Sequence, residues 1–201
     1  MNARLRCFCQ LGDLSGAAGF LASTRQHIHQ HPELSFQEAD TAALVAGHLE
    51  EWGYEVARHV GGHGVVGTLR QGEGTRSIAL RADMDALPIQ EAGTHVHKSR
   101  CAGVMHACGH DGHTTILLGA AHILSEMRND LSGEVRMIFQ PAEEIANGGY
   151  RMCEQGVMDG VDWAIALHGW PGLPIGSIGV KDGPMMASAD TFDIHINGRG
   201  A

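Results

Sequence analysis

Apolar residues recur along this chain with two different periods, and the switch between them marks out its elements. Ala42, Leu44, Val45, Leu49 and Trp52 return at helical spacing, which predicts a helix over Gln37 to Trp52 with Gly53 as its stop. An earlier helix is expected from Gly16 to His29, capped by Ser15 and ended by Pro32. Three strand-like runs follow, Tyr54 to Val60, Val65 to Arg70 and Ser77 to Asp83, with Gly61-Gly62 and Gly72 to Gly74 as breaks. Ile116, Leu117, Ala120, Ala121 and Leu124 then form an apolar stripe on a helix expected over Thr114 to Met127. Val135 to Phe139, apolar but for Arg136, and the apolar run Trp163 to Leu167 read as buried strands, with a short helix from Gly148 to Gln155 between them.

This alternation of strands and helices predicts a layered α/β domain with a parallel or mixed sheet. Functional groups in such sheets gather where strands end, and Asp83-Met84-Asp85, Glu143-Glu144 and His168 all follow strand-like runs. The last segment is of another kind. From Ser188 to Asn197, Phe192, Ile194 and Ile196 alternate with Asp193 and His195, the pattern of a strand buried on one face. The chain stops soon afterwards on a glycine-rich turn, so it reads as cut short inside a new element.

Composition narrows the possibilities without naming a reaction. The 201 residues suffice for one full core, and 43% hydrophobic with 18% charged is ordinary for a globular chain. A formal charge of −9 argues against nucleic acid or an anionic membrane as partner. The five cysteines are odd in number and irregularly spaced, which argues against a disulfide framework and for a reducing cytoplasm. No apolar run of signal-peptide length follows Met1 to Gln10, and none approaches a membrane span.

The chemistry is concentrated in His106-Ala107-Cys108-Gly109-His110-Asp111-Gly112-His113 and, thirty residues on, in Phe139-Gln140-Pro141-Ala142-Glu143-Glu144. Cys108 and His110 stand two apart across a glycine that permits a tight bend, so a thiolate and a neutral imidazole can converge on one ion. Glu143 and Glu144 are neighbours and cannot both point the same way from an extended strand end. One can bind metal while the other serves as a base, because hydrolysis of an amide needs a proton taken from water and given to the leaving amine. A solvated acidic helix start is the bland alternative for either residue alone. Asp83 and Asp85 share a face by alternation, and either orient a ligating histidine or serve turn chemistry. His168 ends an apolar strand, where a histidine is more often structural, but a site with three ligands needs a fourth. His27, His29 and His31 have no adjacent partner except Glu33 and are expected to be structural or to line a pocket. Asp111 and His113 are expected to support and start the following helix. Together these runs imply a metal-dependent hydrolase.

The runs Gln30 to Phe36, Leu80 to Ile89, Met105 to Thr115, Phe139 to Glu144 and Leu167 to Pro171 resemble the metal-dependent aminoacylase and carboxypeptidase superfamily. Within it they are most similar to the amidohydrolase branch, which holds hippurate hydrolase, N-acyl-amino-acid amidohydrolases and auxin-conjugate hydrolases. The resemblance implies a three-layer mixed sheet with helices on both faces, zinc-peptidase-like, over residues 1–186. An α+β lid and dimerisation domain would begin at 187–201 with only its first strand. It further implies Cys108, His110, Glu144 and His168 as metal ligands, Glu143 as the general base and Asp85 as the aspartate that orients the site. Asp83 would take the place where related peptidases carry a ligating histidine. Two divalent ions per site (Zn, Mn, Co or Ni), a small N-acyl amino acid substrate and a homodimer of the full-length enzyme are implied as well. Members are roughly twice this length, and a fifth ligand, a late histidine, is expected beyond these residues. The alternative is a truncated fragment that binds metal without turnover.

Overall fold

The computed structural model describes residues 15–188 and 192–199. They divide into two compact units, one ending at Gly169 and the other beginning at Trp170. The first contains helices α1 (Ser15–Gln30), α2 (Ala39–Glu51), α3 (His110–Glu126) and α4 (Gly148–Glu154). Its strands are β1 (Glu55–Val60), β2 (Gly64–Gln71), β3 (Ser77–Asp83), β4 (Gly133–Gln140) and β5 (Trp163–Ala166). The helices and strands expected up to Leu167 are therefore present. A single 3-10 turn at Arg128–Asp130 was not anticipated.

The strands form one mixed sheet in the order β1-β2-β4-β3-β5. β1, β2 and β4 pair antiparallel, whereas β3 runs parallel to both β4 and β5. Alternate residues of the central strands serve two cores. Val65, Leu69, Ala82, Val135, Met137 and Phe139 pack with Val45, Leu49, Leu117 and Leu118 of α2 and α3. Val66, Ala79 and Ile138 face the other way, against Met152 and Val157 in and after α4. This double burial is why Met137, Ile138 and Phe139 of β4 are apolar in succession rather than alternating with polar residues. α2 packs tightly on β2 at Gly67, where a Cβ would lie 2.9 Å from Leu49 Cδ1.

Connectivity explains where the chemistry collects. The chain passes from β3 through α3 to β4, then from β4 through α4 back past β3 to β5. The two crossovers run in opposite directions along the sheet, so helices of common handedness fall on opposite faces. β3, β4 and β5 are parallel, and their C-terminal ends share one edge. Asp83, Gln140 and Ala166 end those strands.

Three expectations need correction. β5 is an exposed edge strand rather than a buried one, with Trp163 and Ile165 each 54% exposed, because only β3 pairs with it and no described helix covers it. In α3 the buried stripe runs through Leu117, Leu118 and Ala121, while Ile116 is 49% exposed. The helix begins at His110 rather than Thr114, and its first turn is buried as well. Finally, 192–199 form no strand, and 189–191 lie outside the described residues. An alternating pattern becomes a strand only with a neighbour to pair with, and this second unit contains turns but no described strand or helix. No helix among the described residues is long and apolar enough to cross a membrane.

Candidate metal centre

Gly109 decides the shape of the cysteine-histidine loop. Its φ of 90° is left-handed, a conformation that glycine adopts without strain. Gly112 and His113 both donate their N–H to the Gly109 carbonyl, at 2.9 and 3.1 Å, so α3 opens immediately after the bend. His110 is the first helical residue and is completely buried. Cys108 stays just outside the helix, its Sγ 3.3 Å from His168 Nε2 beyond the end of β5.

The Glu143-Glu144 segment comes from the end of β4, in a turn rather than an extended run. Ala142 and Ala146 have φ of 49° and 51°, and Asn147 and Gly148 donate back to the Ala142 carbonyl. In that turn both carboxylates approach the same atom: Glu143 Oε2 and Glu144 Oε1 each lie 3.8 Å from His110 Nε2. The expectation that adjacent glutamates must diverge fails here, because it holds only for extended backbone. Asp85 fixes the turn from across the sheet edge. Its carboxylate accepts the N–H of Glu143 and Glu144, both at 3.0 Å, and the hydroxyl of Ser35 at 2.7 Å. Glu38, buried below, accepts the Ala142 N–H at 2.8 Å.

Donor atoms from Cys108, His110 and His168 lie within 4.8 Å of one another, as do those from His110, Glu143 and Glu144. His110 belongs to both groups. Its Nε2 and Glu144 Oε1 are buried with no hydrogen-bond partner. Unsatisfied donors facing one another in a buried pocket, with thiol, imidazole and carboxylate chemistry, fit a divalent cation. Asp83 is spoken for differently. Its Oδ1 is 2.6 Å from His113 Nδ1, its Oδ2 accepts from Arg81 at 2.7 Å, and His113 Nε2 in turn accepts the Gly169 N–H. Asp83, His110 and His113 nevertheless form a third group at ligand spacing.

Electrostatics follow from this crowding. Burial, then the negative charges of Glu144 and Glu143, pushes the Cys108 thiol up to about 12. Burial works against a charged His110, but Asp85, Asp83 and Glu144 outweigh it and raise its pKa. Burial also opposes the charge of Asp83, yet the His113 hydrogen bond with Arg81 and His110 holds that carboxyl at about 2. Asp85 is lowered in the same way, burial being overcome by His110, Ser35 and two backbone N–H groups. Glu144 is raised, first by burial and then by Glu143 and Asp85 against the pull of His110.

Residues 79–200 match peptidase family M20/M25/M40. The chain belongs to that family. Among its M20 relatives, the N-acyl-L-amino acid amidohydrolase of Geobacillus stearothermophilus is 51% identical over 178 residues, covering 88% of this chain and 48% of that protein. The hippurate hydrolase of Campylobacter jejuni is 46% identical over 185 residues, 90% and 48% of the two chains. The crystal structure of the YXEP protein of Bacillus subtilis, a dinuclear metal binding peptidase of the M20 family, superposes with a TM-score of 0.79 at 46% identity. That match covers 83% of this chain and 47% of that one. The chain thus spans about half the length of the M20 relatives it matches.

Some site residues were not visible in sequence. Glu38 and Ser35 act on the glutamate turn over long separations, and nothing in their local pattern marks them. His29, expected to be structural or to line a pocket, is buried with its Nδ1 2.8 Å from Asp111 Oδ2 and its Nε2 3.3 Å from Glu91 Oε1. Its partners lie 82 and 62 residues away along the chain. His27 and His31 do behave as expected, with His31 Nδ1 2.8 Å from the His27 carbonyl. Glu33 caps α2 by accepting the N–H groups of Asp40 and Thr41.

Proposed function

We propose that this chain carries the hydrolytic centre of an enzyme that cleaves the amide bond of N-acyl amino acids of the hippurate kind, giving a carboxylate and a free amino acid. The observation that carries the reading is the convergence of Glu143 and Glu144 on His110 Nε2, beside the Cys108–His168 pair. Cys108, His110, Glu144 and His168 would hold divalent cations, Zn, Mn, Co or Ni, of which two per site are supported by the dinuclear relative. Such ions, when bound, polarise the acyl oxygen and lower the pKa of water.

The chain's own residues supply the rest. The Glu143 side chain is 40% exposed against 18% for Glu144, so of the two carboxylates it is the one more open to water. As general base it takes a proton from water as the water oxygen bonds to the acyl carbon. It then gives that proton to the amide nitrogen as the C–N bond breaks. Asp85 positions both glutamates through their backbone N–H groups and contacts His110 Nδ1 at 3.3 Å. Residues 187–201 would open a lid domain through which the longer enzyme forms a homodimer, a reading that rests on the family resemblance alone.

The test is hydrolysis of hippurate and N-acetyl amino acids by this chain supplemented with Mn²⁺, Co²⁺ or Zn²⁺, alongside Glu143→Gln. The expected result is turnover lost by at least about 100-fold in the variant with its metal content retained. Loss of bound metal in Glu143→Gln would instead make Glu143 a ligand. The chain covers 48% of its amidohydrolase relative, which favours one second reading, a metal-binding piece without turnover of its own. Full metal content with no hydrolysis of any N-acyl amino acid would select it.

A further inference from the structure

A second group of potential ligands lies apart from the cysteine-glutamate centre, where α1 meets the loop between β3 and α3. His29, Glu91 and His95 bring donor atoms within 4.8 Å of one another. Both imidazoles aim at one oxygen: His29 Nε2 is 3.3 Å and His95 Nε2 3.0 Å from Glu91 Oε1. Ligands bonded to one ion at about 2.0–2.2 Å stand roughly 3.3 Å apart in a tetrahedral shell, so these separations suit a shared cation. The His97 ring lies 4.4 Å from that of His95, centroid to centroid, and 5.9 Å from that of His29.

The surroundings are built to orient these groups. His29 Nδ1 meets Asp111 Oδ2 at 2.8 Å, and Arg25 Nε donates to the same oxygen. A neutral imidazole has one N–H for two facing carboxylates, and a cation on Nε2 satisfies the second. A carboxylate on the far nitrogen is the arrangement that fixes the tautomer of metal-binding histidines. Glu91 is held too, its Oε2 accepting the Ser99 N–H at 2.6 Å, which leaves Oε1 for the two rings. Gly93 lets the loop fold back on itself, because a Cβ there would sit 2.7 Å from the His95 ring and 3.0 Å from Glu91 Oε1. His106, whose ring lies 6.4 Å from that of His29, is buried with neither ring nitrogen hydrogen-bonded.

We propose that His29, Glu91 and His95 form a second divalent-cation site of the zinc class, with the neighbouring His97 ring turning in as fourth ligand. Three imidazoles and one carboxylate select borderline ions such as Zn²⁺, Co²⁺ or Ni²⁺ over Mg²⁺ or Ca²⁺. The bound ion ties α1 to the loop that leads into Cys108. It needs neither hydrolysis nor substrate, so it stands independently of the proposed activity.

Cobalt distinguishes the two centres, because only the site containing Cys108 can show a thiolate-to-cobalt charge-transfer band. Equilibrium dialysis of the chain against Co²⁺ is compared for wild type, His95→Ala and His97→Ala. The His95 side chain is 40% exposed and His97 is half-buried outside both hydrophobic cores, so neither ring is part of the folding core. The expected result is one equivalent of cobalt fewer in His95→Ala and binding weakened about tenfold or more at that site in His97→Ala. The charge-transfer band should keep its intensity in all three. Equal cobalt counts in wild type and both variants overturn the site. Loss of the band together with the extra equivalent overturns it as a separate centre.

Discussion

Asp85 Oδ1 lies 3.3 Å from His110 Nδ1, and both partners are completely buried side chains at the meeting point of two chain segments. The same carboxylate accepts the N–H groups of Glu143 and Glu144. One side chain two residues beyond β3 therefore meets an imidazole from α3 and holds the backbone of two glutamates beyond β4.

Asp85→Asn should disrupt that junction, because an amide presents a donor where the carboxylate now accepts. Divalent-metal affinity is expected to fall about 10- to 100-fold, as it does when the group orienting a ligand is removed. A metal titration with a competing chelator measures this. Wild-type affinity in the variant would mean that the glutamate turn holds its shape without Asp85.

Cys108 must lose a proton to act as a thiolate ligand, and its thiol stands at about 12 in the absence of a cation. Cation uptake then releases that proton, so affinity rises with pH in the range below the thiol pKa. Replacing the thiol with Cys108→Ala should weaken binding and flatten the pH dependence by close to one proton per ion. Identical slopes for the two proteins, measured by zinc titration at several pH values, would remove Cys108 from the ligand set.

Gly148 offers a purely steric test of the glutamate turn. A Cβ at this position would fall 1.6 Å from the Pro141 carbonyl oxygen, a backbone atom that cannot swing away. Gly148→Ala is expected to destabilise the fold by roughly 2–4 kcal/mol and to reduce metal binding as the turn shifts. A urea midpoint equal to that of wild type would show that the turn relaxes freely.

Glu134 gives a pH dependence remote from the candidate metal centre. It accepts from Ser77 Oγ at 2.8 Å and from Arg136 at 2.6 Å, and Arg70 pairs with its other oxygen. Burial opposes its charge, but Ser77 and the two arginines hold its carboxyl below the ordinary value of 4.5. A lowered folded-state pKa contributes stability above the unfolded value, and that stability is lost as pH falls through the folded one. Glu134→Gln should lower the urea midpoint near neutral pH and show a shallower decline below pH 4.5 than wild type. Parallel curves for the two proteins would contradict this.

Much of this molecule was legible in one dimension because its signals are local. Period and punctuation located every helix and strand of the first unit, since burial on one helical face or two sheet faces leaves its imprint on neighbouring residues. Cys108, Gly109 and His110 marked out a candidate site because two potential ligands two residues apart need only a bend between them. Other features depended on segments that meet only when folded. Nothing along the chain states that Glu143 and Glu144 converge, because that follows from a turn whose N–H groups are held by Asp85. Nothing joins His29 to Glu91, His95 and Asp111, which belong to a helix, a loop and another helix. Nor does the apolar run of β5 reveal that it lies at the sheet edge, because burial there depends on which strand pairs beside it. Sequence determined the elements and the reactive groups they carry. Tertiary structure decided which of those groups share a pocket, because distances between remote residues are set by packing and not by spacing.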